Sequence, residues 1–287
     1  MKIFKCGKYS LELGKKTYIM GILNVTPDSF SDGGKWLNAQ KAIKRAFEIE
    51  KEGANILDIG AQSTRPGYTK ISPDEELDRL FPVLEGIKRK LNIPISIDTF
   101  YPKTASEALL MGADIINDVY GFENEGMFEV CKGSDCGIII TYGFEGIEMK
   151  NFFENKLKKA ANFGIDLQRM CFDPGIGFSK NYQDDLDIIK NIKKYKIPQN
   201  AFLVGVSRKR VIGYTCGNPP AQDRVAGSLS AGVIASINGA DILRVHDVKE
   251  TVQALKISDK ICKEREKDIG QDSYQRAECF SKTRSNP

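Results

Sequence analysis

Histidine is nearly missing from this sequence: His246 is the only one in 287 residues. A zinc site built on several histidines is therefore excluded, and so is a Ser-His-Asp triad anywhere away from residue 246. Long apolar runs are missing as well. No stretch approaches 18 consecutive apolar residues, which excludes a membrane-spanning helix. The opening MKIFKCGKYSLELGKK has no apolar run of useful length, so a secretory signal is not expected. Charge of one sign is also scarce: 42 Lys and Arg face 38 Asp and Glu, for a net charge of +4. No basic stripe interleaved with aromatics stands out, which argues against a polynucleotide site. The seven cysteines (6, 131, 136, 171, 216, 262 and 279) form no CxxC pair and show no metal spacing. Reduced thiols in a cytoplasmic protein are the expectation.

What the sequence has is a recurring short apolar run. Eight occur, at Thr17–Val25, Asn55–Ala61, Pro94–Phe100, Ile115–Gly121, Gly137–Gly143, Met170–Gly177, Ala201–Ser207 and Ile242–Val248. Most are too short for helices and several lack strict alternation, as strands buried on both faces do. Helical patterns lie between them. In Pro73–Lys90, Leu77, Leu80, Phe81, Leu84 and Ile87 recur at spacings of three and four. Similar segments are Pro102–Met111, Ile147–Phe163, Asp184–Lys194, Asp223–Ile237 and Lys249–Cys262. Eight strands alternating with helices predict an α/β fold, a single-domain (β/α)8 TIM barrel over residues 1–265. The competing open doubly wound sheet would usually carry GxGxxG after its first strand, and none is there. Residues 266–287 are polar, lack sustained periodicity and read as a disordered tail.

In such a barrel the chemistry belongs to the carboxyl ends of the strands. The first strand ends at Asn24, ahead of TPDSFSDGG, and the second runs into a loop with Thr64 and Arg65. The next two reach Asp98 and Asn117–Asp118. The sixth ends at Asp173, the seventh leads to Ser207, Arg208, Lys209 and Arg210, and the eighth carries Arg244, His246 and Asp247. Any one of these has an ordinary structural use as a cap, a turn residue or a surface charge. Together they are costly to gather without a ligand. Asp98 and Asp173 can accept paired N–H bonds from a planar heterocycle, and Asn117 can both donate and accept on a ring edge. Lys209 can donate to a ring carbonyl or nitrogen. Thr64, Arg244 and His246 offer donors to phosphate oxygens, and Asn24 offers an oxygen to Mg²⁺. A pterin-like ring with a magnesium diphosphate beside it satisfies both sets.

The sequence resembles the dihydropteroate synthase family. MGILNVTPDSFSDGG, STRPG, IDT, GADIINDVYG, DPGIGF, VGVSRKR and ILRVHDVKET carry the likeness, in order, across about residues 1–265. The resemblance implies a transferase of folate biosynthesis. It joins 6-hydroxymethyl-7,8-dihydropterin diphosphate to para-aminobenzoate, through a dissociative pterin cation. It further implies Asp98, Lys209 and Arg65 as catalytic residues. Asp98, Asn117, Asp173, Lys209, Phe178, Gly205 and Tyr142 would hold the pterin. Asn24, Thr64, Arg244 and His246 would hold the diphosphate, with Asn24 on the Mg²⁺. Pro27, Phe30, Thr64, Pro66 and Arg210 would frame the aminobenzoate. The family habit implies a homodimer built on helices away from the mouth.

Three stretches depart from the family pattern. ITYGFEG replaces a histidine-containing segment and puts Tyr142 where a methionine normally packs against the pterin. SKNYQDD replaces a His-Asn pair with Gln183 and Asp184, and Arg210 stands where a small serine is usual. Arg210 is consistent with a firmer clamp on the benzoate, with insensitivity to sulfonamides, or with a different nucleophile. A divergent paralogue acting on the same pterin diphosphate therefore stays open. A pterin-dependent methyltransferase and a non-catalytic pterin binder rank lower, because neither needs the arginine–histidine anion site.

Overall fold

Within each short strand the residues alternate between two apolar surroundings, and that alternation builds the molecule. The computed structural model describes residues 2–26, 35–62, 69–143, 147–178 and 181–262. A hairpin of β1 (Ile3–Cys6) and β2 (Tyr9–Glu12) precedes the barrel. The barrel strands are β3 (Tyr18–Asn24), β4 (Ile56–Gly60), β5 (Ile95–Asp98), β6 (Ile115–Asp118), β7 (Gly137–Thr141), β8 (Met170–Asp173), β9 (Ala201–Val204) and β10 (Ile242–Val245). They pair in parallel in that order, and β10 closes on β3. Helices α1 (Lys35–Lys51), α2 (Pro73–Ile87), α3 (Pro102–Leu110), α4 (Met127–Lys132), α5 (Met149–Asn162), α6 (Tyr182–Lys190), α7 (Ile192–Tyr195), α8 (Arg210–Thr215) and α9 (Val225–Ile237) follow in turn. A further helix, α10, spans residues 248–262.

One set of strand side chains faces the helices: Leu57, Ile59, Ile97, Ile116, Ile138, Ile140, Phe172, Phe202 and Leu243 join the helix-layer core. The other set faces the axis. Met20, Ile56, Ile115, Ile139, Cys171, Leu203 and Ile242 form an inner apolar cluster with Phe4, Cys6, Leu11 and Leu13 of the hairpin region. The hairpin therefore plugs the amino end of the barrel. A Cβ on Gly137, the first residue of β7, would lie 2.8 Å from both Cys6 Cβ and Phe4 Cζ, so glycine alone admits the plug. Toward the carboxyl end the inward positions turn polar: Asp58, Ser96, Asp98, Asn117, Thr141, Asp173 and Arg244.

The eight expected runs coincide with the eight barrel strands in order and position. They extend too far at their carboxyl ends, because the polar mouth residues continue the local pattern without pairing. The β1–β2 hairpin, α1, α4 and α8 have no counterpart in the sequence reading. Asp184–Lys194 proves to be two helices, α6 and α7, with Asn191 between them at φ −118°. Residues 266–287 lie outside the described residues.

Candidate active site at the barrel mouth

Arg244 sits near the centre of the mouth. It projects inward from β10, two residues past Ile242, and bridges two carboxylates from different strands. Its Nε donates to Asp58 Oδ2 at 2.6 Å and its Nη2 to Asp98 Oδ2 at 2.7 Å. Asn117 donates from Nδ2 to the two Asp58 oxygens at 3.4 and 3.3 Å. Asp58 is fully buried and Asn117 nearly so. Burial pushes the Asp98 carboxyl up to about 7, with Asp58 adding to the rise and Arg244 opposing it. Burial works against the Arg244 charge, but Asp58 and Asp98 outweigh it and hold the guanidinium ionised. Asp98 Oδ1 is buried and has no hydrogen-bond partner among the described residues. An acceptor left over in a buried place is what a ring N–H would find useful.

Two glycines keep this region open. A Cβ on Gly60 would stand 3.6 Å from Asp98 Cβ and 3.8 Å from both Asn24 Oδ1 and Asp98 Oδ2. A Cβ on Gly205 would stand 3.8 Å from Arg244 Cβ and 3.9 Å from Asp173 Oδ2. Asn24, Asp98, Asp173, Gly205 and Arg244 thus line one space. Asp173 is buried, and its Oδ1 accepts from Gly175 N at 2.7 Å. That turn needs glycine: Gly175 has φ +67°, and a Cβ there would lie 2.0 Å from Tyr142 O.

Lys209 enters from the β9–α8 connection. Its Nζ donates to Ile176 O at 2.6 Å and lies 4.3 Å from the Phe178 ring centroid. Arg210 donates from Nη2 to Gly177 O at 3.2 Å while its side chain remains exposed. Arg224 steadies this connection by donating to the carbonyls of Arg208 and Lys209 at 3.1 and 3.3 Å. Arg208, at φ +60°, forms a two-pronged ion pair with Asp247, one prong measuring 3.0 Å. Ser207 Oγ lies 3.1 Å from His246 Nδ1.

Tyr142, expected against the pterin, packs on α5 instead of facing the barrel axis. Thr141 occupies the inward position at the end of β7, so Tyr142 turns outward. Its ring lies edge-on to Phe152 and Phe153 of α5, and its hydroxyl donates to Ile147 O at 2.5 Å. Asp118 also turns outward and builds the following turn, accepting from Tyr120 N at 2.6 Å and Phe122 N at 3.0 Å. Burial lifts its carboxyl to about 7 despite those two bonds. Pro27, Phe30, Thr64, Arg65 and Pro66 lie outside the described residues. Asp58 is the residue that sequence reasoning missed. Its signal was present in ILDIG, where a carboxylate occupies the middle inward position of an otherwise apolar strand.

A family model described as pterin binding enzyme matches residues 20–246. The chain belongs to the pterin-binding enzyme family. Within the family it is 39% identical to the dihydropteroate synthase of Clostridium beijerinckii, over 89% of this chain and 98% of that one. Two solved structures of the family superpose closely. The dihydropteroate synthase of Burkholderia cenocepacia complexed with 7,8-dihydropteroate gives a TM-score of 0.84 at 32% identity, over 93% of this chain and 98% of that one. That of Xanthomonas albilineans with 4-aminobenzoic acid gives 0.85 at 35% identity, over 91% and 98%. The barrel described above is the fold that these solved structures share with this chain.

Proposed function

We infer that the protein is a dihydropteroate synthase, a transferase of folate biosynthesis. It condenses 6-hydroxymethyl-7,8-dihydropterin diphosphate with para-aminobenzoate to give 7,8-dihydropteroate and diphosphate. The observation that carries this reading is the Asp58–Arg244–Asp98 bridge beside an unpartnered buried acceptor. It sets an anion-binding guanidinium next to carboxylates suited to a cation and to ring N–H groups.

In this reading Asp98, Asn117 and Asp173 bind the pterin edge, Lys209 donates to it, and Phe178 and Gly205 shape the slot. Arg244 and His246, with Thr64 and Asn24, take the diphosphate. The bond from the pterin methylene to oxygen breaks and its electron pair leaves with diphosphate, whose growing charge Arg244 offsets. Asp98 faces the resulting cation. The amine lone pair of aminobenzoate then forms the C–N bond, and the nitrogen proton passes to solvent. Arg65 is assigned to catalysis with Asp98 and Lys209, and Pro27, Phe30, Thr64 and Pro66 to framing the aromatic substrate.

Among the described residues no group of three or more His, Cys, Asp or Glu could hold a metal by itself. Magnesium nevertheless suits the oxygens found here, since Asn24 Oδ1 and Asp98 Oδ2 both face the space above Gly60. Asn24 would hold the ion together with substrate oxygens. When bound, the ion supplies neutralisation of the leaving diphosphate.

Arg210 favours one specific variation on this reading. Its guanidinium reaches Gly177 O beside Lys209, and in this reading it meets the second substrate by charge as well as by bulk. Pairing with the benzoate carboxylate keeps the ordinary substrate. A different acidic amine is the alternative, and insensitivity to sulfonamides fits either case. Six described cysteines are free, which supports a reducing, cytoplasmic setting. No described helix is long and apolar enough to cross a membrane.

We also assign a homodimer to an apolar groove of about 670 Å³ between α9 and α10, lined by Leu229, Val233, Ile237, Ala254, Ile257 and Ile261. Of these, Ile237, Ile257 and Ile261 are each more than half exposed. The catalytic assignment is tested by diphosphate release from the pterin substrate with Mg²⁺, with and without para-aminobenzoate, and by product mass. Aminobenzoate-dependent release with dihydropteroate is expected. Pterin binding with no dihydropteroate overturns the assignment, and another product mass identifies a different nucleophile.

A further inference from the structure

His246 is the only histidine in the chain, and the structure gives its ring a defined partner. Ser207 Oγ lies 3.1 Å from Nδ1, and the same oxygen accepts from the His246 backbone N–H at 3.2 Å. Ser207 is buried. A serine hydroxyl has one hydrogen to donate, and a buried donor needs an acceptor. Among the described residues the one acceptor within reach of Ser207 Oγ is His246 Nδ1. With the hydroxyl donating to Nδ1, that nitrogen is unprotonated and the ring proton resides on Nε2.

We propose that Ser207 is a positioning residue that fixes the neutral His246 ring with its proton on Nε2, making that nitrogen a donor to an anionic substrate group. The proposal rests on the reading of Arg244 and His246 as a diphosphate site. It assigns Ser207 a role separate from that of its neighbours Lys209 and Arg210. Three elements hold the arrangement. Ser207 follows β9, His246 follows β10, and the Arg208–Asp247 pair fastens the next residue of each segment to the other. Arg208 N also donates to Ser228 Oγ at 2.9 Å, tying this corner to α9. Substrate oxygens would thus meet a donor whose orientation is set before they arrive, a saving in ordering cost at the moment of binding.

A single histidine makes the test direct. With uniform ¹⁵N labelling, long-range ¹H–¹⁵N spectra of the imidazole at about pH 8, above the ordinary histidine range, report the tautomer without any assignment problem. The expected result is a protonated Nε2 and an unprotonated Nδ1 in the wild type. Ser207→Ala is expected to mix the two tautomers, and Ser207→Thr, which keeps the hydroxyl, to restore the wild-type pattern. A wild-type ring protonated on Nδ1 overturns the proposal, and so does an unchanged pattern in Ser207→Ala. If Ser207→Ala fails to fold, Ser207→Cys is read in its place, since a thiol is a weak donor and is also expected to mix the tautomers. Titration with inorganic diphosphate and Mg²⁺ gives the second readout, a weakening of about 3- to 10-fold in Ser207→Ala, in line with loss of one net hydrogen bond. A tautomer shift in a protein that binds no diphosphate upholds Ser207 as the tautomer-setting residue and removes the anion-site reading alone.

Discussion

Asp98 stands where two demands meet. It must be ionised to face a cation, yet burial and the neighbouring Asp58 oppose its ionisation. Activity is therefore expected to rise with pH through about 7. Asp58→Asn removes the repulsion from the adjacent carboxylate, so the acid limb of kcat/KM should move to lower pH. The same change leaves Arg244 with one carboxylate instead of two, and kcat/KM at pH 8 should fall about 10- to 100-fold, the range for losing a hydrogen bond to a charged group. A pH–rate profile of both proteins checks the two effects together. Stability follows a related logic. An aspartate ionises near 3.9 in an unfolded chain, whereas Asp98 does so at about 7 in the fold. The stabilising contribution of its extra proton is complete below about pH 4 and is lost as pH rises through 7. Asp98→Asn should flatten the fall in urea stability between pH 5 and pH 8. Asp118, raised for the same reason, keeps some slope in the variant. Asp98, Asn117, Asp173 and Lys209 were legible in the sequence because each ends or follows an apolar run. Asp58 was not, because it lies inside one, and only the inward parity of Ile56, Asp58 and Gly60 marks it.

At the level of elements, the strands were legible because an apolar run of four to seven residues has few other uses. Their ends were not, since pairing stops where the barrel opens and local composition does not record that. Tyr142 was placed by motif position, whereas strand parity turns it toward α5. Backbone geometry gives a sharper test. Gly175 combines a positive φ with 2.0 Å between a would-be Cβ and Tyr142 O. Gly175→Ala should cost about 3 kcal/mol or more, from an unfavourable backbone and a clash with a fixed carbonyl. It should also loosen pterin binding, because Gly175 N is the donor that fixes Asp173. Denaturation curves and a pterin titration measure the two separately. Gly137→Ala should lower stability by about 1–3 kcal/mol, the usual range for overpacking, and leave pterin affinity unchanged, since the hairpin it displaces lies at the other end of the barrel.

At the scale of the whole molecule the two ends of the barrel have been given different work. One is sealed by Phe4, Cys6, Leu11 and Leu13, and the other gathers nearly all the polar groups that face the axis. The groove between α9 and α10 lies on the flank, so association there leaves the mouth open. Ile257→Asp combined with Ile261→Asp should convert a dimer to a monomer in sedimentation velocity, with pterin affinity retained. A wild-type protein that sediments as a monomer would remove the dimer assignment.

The hairpin plug has a practical consequence as well. Lys2 directly precedes β1, the strand that covers the closed end, and Lys5 pairs with Asp166 at the foot of β8. A tether attached ahead of Lys2 would leave from the floor of the molecule. Immobilised on a sensor chip in that orientation, the protein would present its mouth to the flowing solution. A fused protein joined there would hang below, with no direct passage through the packed barrel to the substrates above.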